Sequence, residues 1–138
     1  MAKQDGDLQR IQSAYAEWSA KKEGSFEHWM DMLADNVDFH SLAAGKPGME
    51  FTAVCHCKDD VRNYFLGLAQ DWEMQHFTPE HYIAEGDWIV MRGSCSWRNR
   101  RTNKVVETPK ADFMRFKDGK VVEFHEFFDT AAALAAAR

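Results

Sequence analysis

One acidic residue, Glu126, interrupts an otherwise apolar strand face near the end of the chain. The segment from residue 110 to residue 129 reads KADFMRFKDGKVVEFHEFFD, and its Asp118-Gly119 pair predicts a tight turn between two strands. The residues that share a face with Glu126 by alternation are Val122, Phe124 and Phe128. A buried carboxylate is costly unless it is paired or hydrogen-bonded. The pattern therefore predicts that Glu126 points into a pocket and has a partner or a chemical purpose there.

The Cys55-His56-Cys57 triplet carries metal-ligating residue types, but their spacing does not suit a metal site. Consecutive residues of an extended segment point to opposite faces, and structural zinc sites use two spaced pairs of ligands. His40 is out of phase with the apolar face of Val37 and Phe39. Phosphate-binding, dinucleotide-binding and nucleophile-elbow motifs are absent from the sequence. We expect no metal and no cofactor.

Composition and charge predict one compact domain over residues 1–138 and argue against a nucleic-acid or membrane partner. The chain is 45% hydrophobic, with ten Phe and five Trp, which is enough to build a core. Its net charge of −5 disfavours nucleic acid and anionic membranes. A basic group does occur at Arg98, Arg100, Arg101 and Lys104. We interpret it as a solvated loop, because stacking aromatics are not interleaved with it beyond Trp97.

Cysteine usage and the first residues favour a cytoplasmic location. Three cysteines cannot form a complete disulfide framework, so a reducing compartment is the simpler interpretation. The opening MAKQDGDLQR lacks the apolar segment of a signal peptide, and the sequence has no apolar run of membrane-spanning length.

Helical spacing of apolar residues dominates the first half of the chain. It predicts a first helix from about Leu8 that ends near residues 22–24, and a second that begins at Ser25. A third helix begins at Asp59 or Asp60. The apolar faces expected for the three helices are Leu8, Ile11, Tyr15 and Trp18; Phe26, Trp29, Met30 and Leu33; and Val61, Tyr64, Phe65, Leu68 and Trp72.

Strand patterns dominate the second half, after a first short strand that contains Val37, Phe39 and Ser41. We expect extended segments at 74–85, broken near Pro79, and at 88–98, which is apolar on both faces and so central in the sheet. The hairpin strands lie between residues 105 and 129, and an alanine-rich helical tail follows at 131–137. Helices followed by antiparallel strands predict an α+β fold.

The whole layout resembles a known superfamily. Two segments carry the most specific part of the resemblance: the Leu33-Ala34-Asp35-Asn36 link into the first strand and the closing DGKVVEFHEFFD. Over residues 8–134 the chain is similar to the SnoaL-like branch of the nuclear-transport-factor-2-like superfamily. The resemblance implies a strongly curved, mostly antiparallel sheet wrapped around the N-terminal helices, and a homodimer formed through the sheet. Members include steroid isomerases, epoxide hydrolases, polyketide cyclases and dehydratases, and others that only bind ligands or partners.

The resemblance to epoxide hydrolases assigns roles to Glu126 and Arg92. Glu126 falls where those enzymes place a catalytic aspartate, and Arg92 matches their arginine. The second aspartate of that set falls at Ser94, so a base–acid pair of carboxylates is incomplete. The alternative is that Arg92 and Glu126 form a structural pair that neutralises two buried charges.

The resemblance to steroid isomerases assigns a role to Asp112. The strand ADFMRF is similar to the isomerase strand whose protonated aspartate donates a hydrogen bond to a developing oxyanion, an example of a carboxyl pKa that an apolar site raises. The isomerase base falls at Ser41, which cannot abstract a proton from carbon without an activator, and the isomerase tyrosine falls near Tyr15. The alternative is that Asp112 only bonds a helix end or Arg92.

The resemblance to dehydratases rests on His76 within the segment MQHF, where the family histidine acts as acid and base. The second dehydratase histidine belongs near Arg92 or Gly93 and is absent. His76 is therefore either a catalytic group or a pocket-lining histidine without a catalytic role.

The candidate catalytic set is His76, Asp112, Glu126 and Arg92. The side chains expected to line a ligand cavity are Tyr15, Trp18, Phe39, Ser41, Ser94, Met114, Phe124 and Phe128. The leading interpretation is a small-molecule pocket protein that performs isomerase, dehydratase, cyclase or hydrolase chemistry on a small apolar oxygenated substrate. The alternatives are a non-catalytic ligand-binding module and an interaction protein with Trp97 and His125 at a dimer interface.

Overall fold

The computed structural model describes residues 2–138, with side chains described for residues 5–22 and 24–138. The helices are α1 (Ala2–Lys21), α2 (Phe26–Met32), α3 (Lys58–Asp71) and α4 (Thr130–Ala136). The strands are β1 (Leu33–Ser41), β2 (Trp72–Glu85), β3 (Trp88–Asn99), β4 (Val105–Lys117) and β5 (Lys120–Phe128). Short 3-10 turns occur at Lys22–Ser25 and Glu50–Thr52.

The strands of this part of the chain form one mixed sheet in the order β1-β5-β4-β3-β2. Strand β1 pairs parallel with β5, and the other neighbours are antiparallel. Strand β3 therefore has a neighbour on both sides, as its apolar residues on both faces predict. The expected mostly antiparallel sheet is confirmed.

The Asp118-Gly119 turn joins β4 and β5 as predicted. Both residues have positive φ, 52° and 78°, which is the backbone twist that a two-residue hairpin turn requires. The register shifts by one residue just after the turn, so Val122 has no opposite partner in β4. This bulge brings Val121, rather than Val122, into the core. The predicted inward position of Val122 is therefore wrong, whereas Phe124 and Glu126 are buried as expected.

Bulges also curve the sheet. The register of β2 shifts before His76 and again after Pro79, and β1 shifts between Leu33 and Asp38. Bulges bend a strand and increase its twist. Gly93 lies opposite the second β2 bulge, where a Cβ atom would come within 2.2 Å of the Thr78 carbonyl oxygen. The resulting curled, unclosed sheet covers the helices on one side, which confirms the predicted α+β cone.

The helices bury the faces that their apolar spacing predicts. Ile11, Tyr15 and Trp18 of α1 enter the core. Leu33 and Trp72, expected on helix faces, are instead the first residues of β1 and β2. Each follows directly after a helix ends, and each is buried from its strand position. Helical and strand periodicity cannot be distinguished at a single boundary residue.

The alanine-rich tail forms α4, which covers a second apolar cluster. The cluster consists of Ala43, Met49, Trp72, Val106, Ala133, Ala136 and Ala137. The Asp129 side chain caps the helix by accepting a hydrogen bond from the Ala132 backbone nitrogen at 3.0 Å. Among the described residues, no helix combines the length and the apolar character needed to cross a membrane.

Candidate functional site

Two buried carboxyl groups lie side by side on the inner face of the sheet. Asp112 of β4 and Glu126 of β5 are register partners, so both side chains leave the sheet in the same direction. Like charges at directly opposite positions are destabilising, and burial increases the cost. A positive partner is therefore required at this point of the fold.

Lys110 is that partner. Its Nζ atom lies 2.7 Å from Asp112 Oδ1 and 2.9 Å from Glu126 Oε2. Lys110 is on β4 two residues before Asp112, which places both on one face of the strand. The three side chains are only 9%, 2% and 7% exposed. The lysine thus bridges two carboxyl groups away from bulk water.

Two tyrosines from the helices complete the arrangement. The hydroxyl of Tyr15 in α1 donates to Asp112 Oδ2 at 2.6 Å, and the hydroxyl of Tyr64 in α3 donates to Glu126 Oε1 at 2.7 Å. Each carboxyl oxygen thereby receives one hydrogen bond. We call the five groups Tyr15, Asp112, Lys110, Glu126 and Tyr64 the lysine–carboxyl network.

Burial shifts the protonation equilibria of this network. It raises the pKa of both tyrosines well above the ordinary value, and the neighbouring carboxylates raise it further, so both hydroxyls remain donors. Burial also raises the pKa of Asp112. For Lys110, burial lowers the pKa, but Asp112 and Glu126 raise it by more. With one ammonium between two carboxyl groups, the direction of these shifts favours a proton on Asp112.

The network forms the polar part of an otherwise apolar, mostly aromatic cavity of about 60 Å³, the inner cavity. Its other lining residues are Trp18, Trp29, Leu33, Phe39, Phe65, Leu68, Phe77, Trp97 and Phe124. A second cavity of about 60 Å³, the back cavity, lies between the sheet, α3 and α4. Lys110 and Glu126 line both cavities, and Phe128 lines the back cavity only. The charged groups therefore stand at the boundary between two apolar spaces.

The predicted pairing of Arg92 with Glu126 is wrong. Arg92 is exposed on the outer face of the sheet, where its Nη2 atom lies 2.5 Å from His81 Nδ1. The inner face of β3 at this point carries Met91, which is fully buried and is the register partner of Asp112. Around this point polar Arg92 and Ser94 alternate with apolar Met91 and Cys95, so alternation favoured an outward Arg92. The inward assignment rested on the resemblance to epoxide hydrolases.

His76 and Ser94 also lie outside the cavity. The His76 ring lies 3.0 Å from Glu107 Oε1, and its side chain is 41% exposed. Ser94 is two residues from Arg92 and shares its outward face. The structure therefore does not place these two residues with Asp112 and Glu126, contrary to the sequence-based expectation.

Six other predicted pocket residues are buried in the protein interior, but only four of them line the inner cavity. Tyr15, Trp18, Phe39 and Phe124 line the inner cavity, and the rings of Phe39 and Phe124 stack with centroids 4.6 Å apart. Met114 is fully buried with its sulfur 3.9 Å from the Tyr15 hydroxyl, beside the cavity rather than in its wall.

Ser41 is buried as the register partner of Glu126, but it does not line the inner cavity. Its hydroxyl has no hydrogen-bond partner among the described residues. Its inward position was predicted; its role stays a hypothesis.

Sequence reasoning missed Lys110 and the contact of Tyr64 with Glu126. The inward position of Lys110 could have been predicted, because Lys110 shares a strand face with Asp112 at a spacing of two residues. A lysine near the middle of a strand is ordinarily interpreted as a solvent-facing residue. Tyr64 was expected on the inner face of α3, but nothing in the sequence shows that it meets β5.

The network can donate and accept protons at an apolar surface. Asp112, when protonated, and the tyrosines are donors, and a carboxylate of the pair is an acceptor. For a metal ion the arrangement offers little, because Lys110 occupies the space between the carboxyl groups. Among the described residues there is no group of three or more His, Cys, Asp or Glu placed to hold a metal ion.

Structural comparison places this fold among known proteins. An NTF2-like protein from Burkholderia thailandensis superposes with a TM-score of 0.80 at 25% identity, covering 96% of this chain and 97% of that chain. A protein of ketosteroid isomerase-like fold from Catenulispora acidiphila, in complex with trimethylamine, gives a TM-score of 0.73 at 12% identity over 93% and 91% of the two chains. TerC, co-crystallised with polyporic acid, gives 0.76 at 14% identity over 95% and 97%.

Sequence comparison identifies the family, although a search of curated proteins found no match to this chain. The family model of the SnoaL-like domain matches residues 5–124, a span that includes Tyr15, Tyr64, Lys110 and Asp112 and ends just before Glu126. The chain therefore belongs to the SnoaL-like domain family.

Proposed function

We propose that the interior binds a small, largely apolar molecule through one oxygen-bearing group and transfers protons to and from it. The support is the lysine–carboxyl network: five polar groups converge in a space whose remaining walls are almost entirely aromatic. Ligand sites typically combine apolar walls with a few convergent polar groups. Groups with shifted pKa values in a cavity are candidates for catalysis.

In the proposed reaction, Asp112 and Tyr15 act on the substrate oxygen. Protonated Asp112 donates its proton as a carbonyl oxygen gains negative charge, and Tyr15 holds the carboxyl group in position. A neutral carboxylic acid in an apolar site is suited to this task because its proton is not lost to water.

Glu126 is the proposed base. As a carboxylate it takes a proton from the carbon next to the carbonyl group, so that a C–H bond breaks as an O–H bond forms on Glu126. The substrate is then an enol. Glu126 returns a proton to the same or another carbon while the enol O–H proton returns to Asp112, which completes an exchange or an isomerisation and restores both acids. Lys110 stays protonated throughout, and its positive charge stabilises the carboxylate of whichever acid has lost its proton.

Exchange of carbon-bound hydrogen tests this proposal without knowledge of the natural substrate. Benzylacetone and butanone, two simple ketones with acidic C–H bonds, are incubated with the protein in deuterium oxide, and deuterium uptake is measured by mass spectrometry. We expect uptake above the buffer rate, reduced roughly 100-fold or more in Glu126→Gln and Asp112→Asn. The surface variant Lys117→Gln is the matched control and should exchange at the wild-type rate. Ketone binding without exchange above buffer would leave a binding module and contradict the catalytic part.

Binding without turnover is the second candidate. Every carboxyl oxygen of the network already accepts a hydrogen bond from Tyr15, Tyr64 or Lys110. A network satisfied in this way is also suited to holding a ligand's polar group without any chemical step. The fold neighbour from Catenulispora acidiphila was crystallised with trimethylamine and TerC with polyporic acid, so this architecture admits small ligands in those proteins.

We also propose that two copies associate through the outer face of the sheet. Phe113 and Phe127 are 38% and 41% exposed there and contact each other edge to face at 5.5 Å. The rings of His40 and His125 stack beside them at 4.7 Å. Trp97, expected at this interface, lines the inner cavity instead, so that assignment is wrong.

Sedimentation analysis tests the dimer. The wild type should sediment as a dimer and Phe127→Asp as a monomer, because a charge within an apolar interface is strongly unfavourable. Leu66→Asp, on the exposed side of α3, is the matched control and should not change the mass. A monomeric wild type would contradict this part of the proposal.

A further inference from the structure

An outer cavity adjoins the inner cavity. It has a volume of about 160 Å³ and lies between the three helices α1, α2 and α3 and the strands β2 and β3. Its lining residues are Trp18, Phe26, Phe65, Leu66, Leu68, Ala69, Trp72 and Trp97. Four of these, Trp18, Phe65, Leu68 and Trp97, also line the inner cavity. The two spaces are therefore neighbours that share part of their walls.

The two volumes suit different parts of a ligand. An apolar cavity of about 150 Å³ in a protein interior holds a benzene molecule, which is close to the 160 Å³ of the outer cavity. The inner cavity, at about 60 Å³, is too small for a ring but large enough for a few atoms. The ring-sized space thus lies outside and the small polar space inside.

The side-chain chemistry divides in the same way. The lining of the outer cavity is aromatic or aliphatic throughout, and Trp18 meets Phe65 edge to face at 5.6 Å. Aromatic walls of this kind favour a flat apolar group through edge and face contacts. The charged groups of the lysine–carboxyl network line the inner cavity and not the outer one.

We infer that one ligand occupies both cavities: a benzene-sized apolar ring in the outer cavity, joined to a short arm whose oxygen reaches Asp112 and Glu126. This inference rests on the proposed function, because it takes the lysine–carboxyl network as the site of the oxygen. It adds the ligand class, a monocyclic ring with an oxygenated arm of a few atoms. It also makes Leu68 and Trp97 specificity-determining residues, since both line the inner, back and outer cavities.

Three probes distinguish the contribution of the ring to binding from that of the arm. Benzylacetone has both, butanone is the arm alone, and propylbenzene is a ring without oxygen. Binding to the wild-type protein is measured by two-dimensional NMR titration, which reports affinity and location together. Because burying a phenyl group contributes to affinity, butanone should bind roughly tenfold to hundredfold more weakly than benzylacetone. Benzylacetone should shift the amide signals of both Ala69 and Asp112.

Filling the outer cavity provides the variant test. Ala69→Phe places a ring in the outer cavity and should weaken benzylacetone roughly tenfold while leaving butanone unchanged. Gln70→Phe adds the same ring at the next, exposed position of α3 and is the matched control. The comparison of the three probes on the wild type holds even if Ala69→Phe does not fold.

The outcomes separate this inference from the proposed function. Equal affinity of butanone and benzylacetone, or equal weakening by Ala69→Phe and Gln70→Phe, would overturn the inference while leaving the network as the binding site. Binding of benzylacetone in both cavities without deuterium uptake would leave the inference intact and end the catalytic proposal. If neither ketone binds, both are overturned.

Discussion

Asp112 and Glu126 are register partners on neighbouring strands, so two buried carboxyl groups project from adjacent positions into one cavity. Their repulsion is relieved by Lys110, which contacts both within 2.9 Å. Removing one partner of a buried ionic group leaves uncompensated charge, which costs more than the pair itself contributes. Lys110 is thus the residue on which the stability of the site most depends.

Lys110→Met should lower the free energy of unfolding by roughly 3–5 kcal/mol at neutral pH, because it leaves two facing acids without a cation. Urea denaturation monitored by tryptophan fluorescence measures this loss. The exposed Lys117→Met is the matched control and should change stability by no more than about 0.5 kcal/mol.

The same network predicts that replacing both acids restores part of the stability lost in Lys110→Met. The triple variant Lys110→Met, Asp112→Asn, Glu126→Gln removes all three ionisable groups, so it should be more stable than Lys110→Met alone although it carries two more substitutions. Residues that share one network are expected to be non-additive in this way. Additive losses across the three positions would contradict the assignment of Lys110 as the neutralising group.

Arg92→Met is expected to be nearly neutral, within about 0.5 kcal/mol of the wild-type free energy of unfolding, because Arg92 lies on the exposed outer face beside His81. Glu126→Gln should have the same effect on stability in the Arg92→Met background as in the wild type. Coupling of more than about 1 kcal/mol between the two positions, measured by urea denaturation, would argue for the pairing that the structure does not contain.

The sequence predicted which strand faces are buried only where polar and apolar residues alternate. Alternation in β5 placed Phe124 and Glu126 inside correctly, and the Asp118-Gly119 turn was recognisable from its residue types. The bulge at Val122 has no sequence signature, so the inward position next to the turn was wrong. On β3, polar Arg92 and Ser94 alternate with buried Met91 and Cys95, but the resemblance to epoxide hydrolases led to Arg92 being placed on the wrong side.

Contacts between residues far apart in the chain were the other feature that the sequence could not predict. Glu126 was recognised as a buried acid with a partner or a chemical purpose, but the identity of a partner depends on how the strands align. Lys110 meets Glu126 across a hairpin register, and Tyr64 meets it from a helix 62 residues away. Such contacts depend on strand order and helix placement, which local periodicity does not specify.

The three cysteines should differ in reactivity. Burial raises the pKa of Cys55 and of Cys95 to about 11, and nearby acidic groups raise it as well in Cys55. Alkylation proceeds through the thiolate, so both should be slow at pH about 8. Cys57 is only partly buried and should react first.

Iodoacetamide labelling followed by tandem mass spectrometry measures this order, and fragment ions distinguish Cys55 from Cys57 within one peptide. We expect labelling of Cys57 at least roughly 100-fold faster than labelling of Cys95, from the smaller thiolate fraction of the buried thiol alone. In urea at denaturing concentration the three rates should converge, which is the control for intrinsic reactivity. Rapid labelling of Cys95 in the folded protein would show that the wall of the back cavity is open.

The raised pKa of Asp112 predicts how stability changes with pH. An acid whose pKa is higher in the folded state holds its proton more tightly there, so its stabilising contribution is complete below its unfolded pKa of about 3.9. That contribution is lost as the pH rises through the folded pKa. Asp112→Asn has no such proton. The free energy of unfolding of Asp112→Asn, relative to wild type, should therefore increase as the pH rises from about 4 toward neutrality.

Urea denaturation of both proteins across this pH range measures the difference directly. Lys110 is present in both and its raised pKa places its titration above about 10.4, so it does not contribute in this window. Asp35→Asn removes a carboxyl group from the exposed part of β1 and is the reference for loss of a surface acid. A difference between Asp112→Asn and wild type that falls with rising pH would require a lowered pKa for Asp112. It would mean that Lys110 and Tyr15 stabilise the Asp112 carboxylate more than burial disfavours it, and Asp112 could then not serve as the proton donor.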